Sequence, residues 1–168
     1  MSKTGDFFGE NNPTSVYIPG SQIFHVQDQR AQGTAGGNAA LATWNARTLN
    51  TVILNTIPGA SLGSNIITLP AGTYDITLEA TMKGTGLGSV RLYNTADSAV
   101  AIAGTNISLD ATYTESVANT VTQRITIAAQ KTFRLESYST AARATDGLGA
   151  AVSNGVEVYA NVFISKVA

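Results

Sequence analysis

The 168-residue sequence has no cysteine, so it can form neither a disulfide framework nor a thiolate metal site. Histidine occurs once, at His25, and a His-based metal site inside one chain needs at least a second. Charge is sparse: Asp, Glu, Lys and Arg together make up 12% of the residues, and the net charge is −1. That balance gives no electrostatic case for nucleic acid or for an anionic membrane surface. No apolar run approaches the roughly 18–20 residues that a membrane-spanning helix requires. Lys3 is followed by Thr4, Gly5 and Asp6 rather than by an apolar stretch, so no secretory leader is expected. The length suits one domain with a core large enough to need no covalent staple.

What is abundant is Thr, Ala, Asn, Ser and Gly, arranged with a period of two. After the turn formers Pro70 and Gly72, the residues Tyr74, Ile76, Leu78, Ala80 and Met82 alternate with Thr73, Asp75, Thr77, Glu79 and Thr81. Alternation of that kind places one set on a buried sheet face and the other on the opposite face. The pattern recurs in 23–28, 44–54, 65–69, 89–94, 99–107, 116–128 and 132–139. It closes with 156–167, where Val156, Val158, Ala160, Val162 and Ile164 alternate with Glu157, Tyr159, Asn161 and Phe163. No segment answers with a helix. About nine or ten short strands at this spacing predict an all-β, two-sheet antiparallel jelly-roll sandwich over 22–168.

Residues 1–21 read differently. Gly5, Gly9, Pro13, Pro19 and Gly20 break every regular period, yet Phe7, Phe8, Val16, Tyr17 and Ile18 lie among them. A disordered tail carries fewer aromatics. The reading is an extended N-terminal arm whose Phe7, Phe8, Tyr17 and Ile18 anchor the chain in a neighbour's groove.

Several runs carry a resemblance: Arg47-Thr48-Leu49-Asn50-Thr51, Ile67-Thr68-Leu69-Pro70-Ala71-Gly72-Thr73-Tyr74, Val90-Arg91-Leu92-Tyr93-Asn94 and Gly155-Val156-Glu157-Val158-Tyr159. Together they resemble the tumour-necrosis-factor-like and complement-globular-head-like jelly rolls, in the form found in bacteriophage virion proteins. The resemblance spans roughly residues 23 to 167 and implies a tight homotrimer serving as a binding or structural head, without catalysis or cofactor. The chain departs from the complement branch in having no Gly-X-Y stalk, and it has no heptad shaft.

Tyr159 and Phe163, outward on the last strand if Val156, Val158 and Ile164 face the core, form a candidate interface, because interfaces are enriched in aromatics. By analogy with the family, His25, Thr77, Glu79, Thr122, Arg124 and Thr126 join them at the trimer axis. There an Arg124–Glu79 pair would balance charge. The functional expectation is a capsid-decoration knob, of the cement or head-fibre kind, assembled in the host cytoplasm onto the virion. Its partners are further copies of itself and a major capsid or other virion protein, with no nucleic acid and no membrane insertion. The alternative is the receptor-binding tip of a phage tail fibre or spike recognising a host surface glycan or protein through 110–115 or 141–154.

Chemical motifs weigh little against this. Gly59-Ala60-Ser61-Leu62-Gly63 matches the nucleophile-elbow pattern, but Pro58 precedes it, no helix follows and His25 lies upstream. Gly84-Thr85-Gly86-Leu87-Gly88 reads as a hairpin turn rather than a phosphate loop, having no helix N-terminus after it. Asp97, Asp110 and Asp146 fall on separate loops without a calcium-loop pattern.

Overall fold

The computed structural model describes residues 22–110, 112 and 114–167. These form strands β1 (Gln22–Arg30), β2 (Thr43–Ala46), β3 (Thr51–Asn55), β4 (Ser61–Gly63), β5 (Ile66–Leu69) and β6 (Gly72–Lys83). There follow β7 (Gly86–Asn94), β8 (Ala99–Ala103), β9 (Ile107–Leu109), β10 (Ser116–Ile127), β11 (Lys131–Ser139) and β12 (Glu157–Lys166). All pairings are antiparallel. One sheet has five strands in the order β10-β6-β12-β1-β3. The other has seven, in the order β4-β5-β11-β7-β8, with β2 on β11 and β9 on β7. This is the expected two-sheet jelly roll.

The core lies between the sheets and is built by the alternating residues. Tyr74, Ile76, Leu78, Ala80 and Met82 of β6 meet Phe24 and Val26 of β1 and Ala160, Val162 and Ile164 of β12 in the inner face of the five-stranded sheet. Ile67, Leu69, Val90, Leu92, Ile102, Phe133 and Leu135 face them from the other sheet. Burying one such large side chain is worth about 1.5–3 kcal/mol, which holds each strand to its register.

Three features differ from the sequence reading. The single extended element expected over 44–54 is two strands in different sheets. The chain crosses between them at Arg47–Asn50, where Arg47 N donates to Leu135 O and Asn50 N to Gln27 O at 2.9 Å each. The turn at Gly84–Thr85 joins β6 to β7 across the two sheets, so it is not a hairpin. At β12 the alternation is inverted near its start: Val156 and Val158 are exposed, whereas Glu157 and Tyr159 are buried. The cause is a bulge, since Asp28 faces Ala160 but Gln29 faces Val158, leaving Tyr159 outside the ladder.

The crossing also carries a residue that the pattern did not single out. Arg47 is fully buried, and its guanidinium donates to Thr81 O at 3.0 Å, Leu148 O at 2.9 Å and Tyr159 O at 2.8 Å. It therefore ties β6, the 148–149 loop and β12 together from within. Burial pulls its pKa well below the ordinary arginine value, to about 10, with Asp28 nearby acting in the opposite sense, so it stays charged at neutral pH.

Candidate self-association face

The residues that alternate with the core form the outer face of the five-stranded sheet, and the register sets them in rows. Leu54, His25, Phe163, Thr77 and Thr122 follow one another across all five strands. On one side of this row run Ile23, Ser165, Asp75 and Arg124. On the other run Thr51, Gln27, Asn161, Glu79 and Thr120. The structure thus brings His25, Phe163, Thr77, Glu79, Thr122 and Arg124 onto one surface. Thr126 joins them opposite Thr73, their hydroxyls 3.0 Å apart.

Local hydrogen bonds hold this surface in place. The Thr77 and Thr122 hydroxyls are 2.8 Å apart. Gln29 Nε2 donates to Gln27 Oε1 at 2.7 Å, Gln27 Nε2 donates to Asn161 Oδ1 at 2.6 Å, and His25 Nε2 lies 3.2 Å from that same oxygen. His25 and Phe163 meet edge to face with ring centroids 5.7 Å apart. Phe163 nevertheless remains 40% exposed, and Val52, Ile53 and Leu54 at the β3 edge are exposed as well. A protein interface has this layout, an apolar centre with a rim of polar and paired groups.

The expected ion pair has a different partner. Arg124 lies directly opposite Asp75, and its Nε and a terminal nitrogen each donate to that carboxylate at 2.7 Å. This bidentate hydrogen bonding lowers the Asp75 pKa and raises that of Arg124. Glu79 instead faces Thr120 and Asn161 and has no ion-pair partner among the described residues.

Tyr159 is the other correction. It is only 3% exposed, and its hydroxyl donates to Thr34 O at 2.7 Å. The 148–156 segment covers it, with Gly149 set so closely that a Cβ there would lie 2.3 Å from Tyr159 Cδ1. Glu157 pins that segment by accepting from Val152 N, Ser153 N and Gly33 N at 2.7–3.0 Å, and these bonds lower its pKa. Phe163 alone of the two aromatics is thus on the outer face. Phe7, Phe8, Tyr17 and Ile18 lie outside the described residues.

The chemical motifs find no site geometry. Ser61 sits in the short strand β4 of the seven-stranded sheet, while His25 is in the other sheet. Asp97 is engaged by Lys131 and Asn94, and Asp146 by Lys83 and Arg143. Among the described residues no three His, Asp or Glu side chains gather as a metal site would require.

No family model and no curated protein matches this sequence. Solved structures do match the fold. Murine APRIL at pH 5.0 superposes with a TM-score of 0.58 at 9% identity, covering 88% of this chain and 99% of that one. The same protein at pH 8.0 gives 0.57 at 10% identity, over 88% and 98%. The globular domain of zebrafish complement 1qA protein gives 0.53 at 13% identity, over 87% and 96%. The likeness is one of fold, and the architecture is the tumour-necrosis-factor-like jelly roll.

Proposed function

We propose that this chain is a non-enzymatic virion structural protein, a homotrimeric knob that decorates a bacteriophage capsid and is anchored by residues 1–21. The observation that carries the self-association is the row Leu54–His25–Phe163–Thr77–Thr122, with an exposed phenylalanine at the centre of a hydrogen-bonded polar face. The face carries little charge: Arg124 offsets Asp75 and leaves Glu79 as its one carboxylate without an ion-pair partner among the described residues. Three copies can approach one axis with little repulsion, and the fold supports the trimer that the sequence resemblance implies. The phage setting and the anchoring role of Phe7, Phe8, Tyr17 and Ile18 rest on that resemblance and on the arm's composition. Three arms on one trimer would multiply weak contacts with the capsid protein.

Light scattering across a concentration series tests the first step. A stable mass of three chains is expected, with Phe163→Asp reducing it to one chain; a wild-type monomer refutes the proposal. Deleting 1–21 tests the second step: the trimer should persist while particle binding is lost. A receptor-binding tip is the second reading, favoured by a cleft on the opposite sheet, and it predicts low copy number and binding to host cells.

A further inference from the structure

The outer face of the seven-stranded sheet, opposite the proposed self-association face, carries the cleft that favours the second reading and a group of side chains beside it. Trp44, Tyr138 and Ser89 lie in one row across β2, β11 and β7, and Ala46, Glu136, Arg91 and Ala103 lie in the next. The Arg91 guanidinium is 3.9 Å from the centroid of Trp44 and 4.7 Å from that of Tyr93. Its Nε donates to Glu136 Oε2 at 2.6 Å. Glu136 is almost fully buried and also accepts from Arg134 Nε at 2.7 Å. Two guanidiniums on one carboxylate leave the cluster with a net charge of +1.

This cluster borders an open cleft of about 310 Å³, lined by Trp44, Ser89, Arg91, Val100, Asn106 and Tyr138. That volume falls at the small end of the ligand-pocket range of about 300–1,000 Å³. Gly104 lets the chain after β8 pass close against β7 at the cleft's edge: a Cβ there would lie 2.7 Å from Val90 Cγ2. A second hollow of about 230 Å³ shares Ser89, Asn106 and Tyr138 and extends towards Leu87 and Thr140. The walls are aromatic, but the cleft is not simply apolar. The Trp44 indole N–H, the Tyr138 hydroxyl, the Asn106 amide and the terminal nitrogens of Arg91 have no hydrogen-bond partner among the described residues.

We infer that this cleft binds a saccharide residue bearing a carboxylate, with the adjoining hollow taking the next sugar of the chain. A sugar ring has an apolar C–H face and a polar edge. The first suits Trp44 and Tyr138, as aromatic side chains combine an apolar body with a polar tip. The second suits the unpartnered donors around them. The net positive charge and the free terminal nitrogens of Arg91 select the carboxylate, since guanidinium–carboxylate contacts are both strong and directional. Arg91 is held by Glu136 and by two rings, so little side-chain freedom is lost on binding. The site lies within one protomer and on the sheet opposite the proposed self-association face, so it does not depend on trimerisation.

The test is ligand-observed saturation-transfer NMR and calorimetry on the full chain with sialyllactose, a glucuronate-terminated disaccharide and lactose. At least one acidic sugar is expected to bind about tenfold or more tightly than lactose. Trp44→Ala and Arg91→Gln should each weaken binding about tenfold, and the exposed Asn106→Ala about threefold. Should Arg91→Gln fail to fold, Trp44→Ala and Asn106→Ala still decide. The inference is overturned if neither acidic sugar binds at about 10 mM, if lactose binds equally well, or if Trp44→Ala changes nothing. Light scattering on the same samples reports trimerisation separately.

Discussion

Replacing Arg47 with methionine tests the interior of the sandwich. The side chain donates to Thr81 O, Leu148 O and Tyr159 O, and its Nε has no acceptor among the described residues. A hydrogen bond from a charged donor is worth about 1.5–3 kcal/mol, so three supply about 5–9 kcal/mol. Against this stands the cost of burying the charge. Burial lowers the pKa to about 10, and desolvating a charge of this kind costs several kcal/mol. Methionine fills much of the volume and needs no solvation, but it takes the guanidinium away from three carbonyls, and the single Thr81 hydroxyl, 2.8 Å from Leu148 O and 3.2 Å from Tyr159 O, cannot replace it at all three. Arg47→Met should therefore lower the unfolding free energy by about 3–5 kcal/mol. The melting temperature should fall by about 10 °C for a domain of this size. Arg47→Lys should lie between, because one ammonium cannot reach three carbonyls in a planar fork. Urea denaturation with calorimetry reads all three proteins. A Met variant within about 1 kcal/mol of the parent would refute the account of Arg47 as the tie between β6, β12 and the 148–149 loop.

Other perturbations follow from the same geometry. Asp146 accepts from Arg143 and Lys83, and these bonds, that from Arg143 above all, hold its pKa at about 2. Because the folded value lies below the unfolded one, its stabilisation is complete above the usual carboxylate pKa of about 4 and is lost as pH falls towards 2. Asp146→Asn should flatten that part of the stability–pH curve measured by denaturation at stepped pH; an unchanged slope excludes the triad as its source. Gly149→Ala should expel the Tyr159 ring, which a Cβ would touch at 2.3 Å, and raise Tyr159 quenching by iodide. Glu157→Gln replaces one accepting oxygen with a donor and should speed amide exchange at Gly33, Val152 or Ser153 by about tenfold, read by hydrogen-exchange NMR. Asp75→Asn should leave the urea midpoint of the monomer essentially unchanged, since the Arg124 pair is exposed and screened by solvent; a clear drop in that midpoint refutes this.

Much of this was legible in the chain itself. The alternation from Tyr74 to Met82 puts the same five residues in the core that the structure buries, and Ala160, Val162 and Ile164 obey it too. The set His25, Thr77, Glu79, Thr122, Arg124 and Thr126 came from the family resemblance and not from the pattern, and the register places its members on one sheet face. Tyr159 is not among them, because a bulge shifts the phase between Asp28 and Gln29, and no local pattern announces an inserted residue. The partner of Arg124 was also beyond reach. Asp75 and Glu79 stand on the same face of β6, and only the register chooses between them. Arg47 looked like one polar residue in an extended run, whereas its burial comes from a crossing between sheets. The Trp44, Arg91, Glu136 and Tyr138 cluster draws on three strands far apart in sequence.

By itself, then, the sequence determined an all-β sandwich, most of the core residues of its regular strands, and the polar and aromatic residues available to its outer faces. Those are local properties, set by a two-residue period and by turn residues that act on their immediate neighbours. Only the tertiary structure decided which strands pair, in what register, and where a bulge reverses the faces. Those choices depend on contacts between residues distant along the chain, where many pairings satisfy the same alternation and the packing of the whole core selects one.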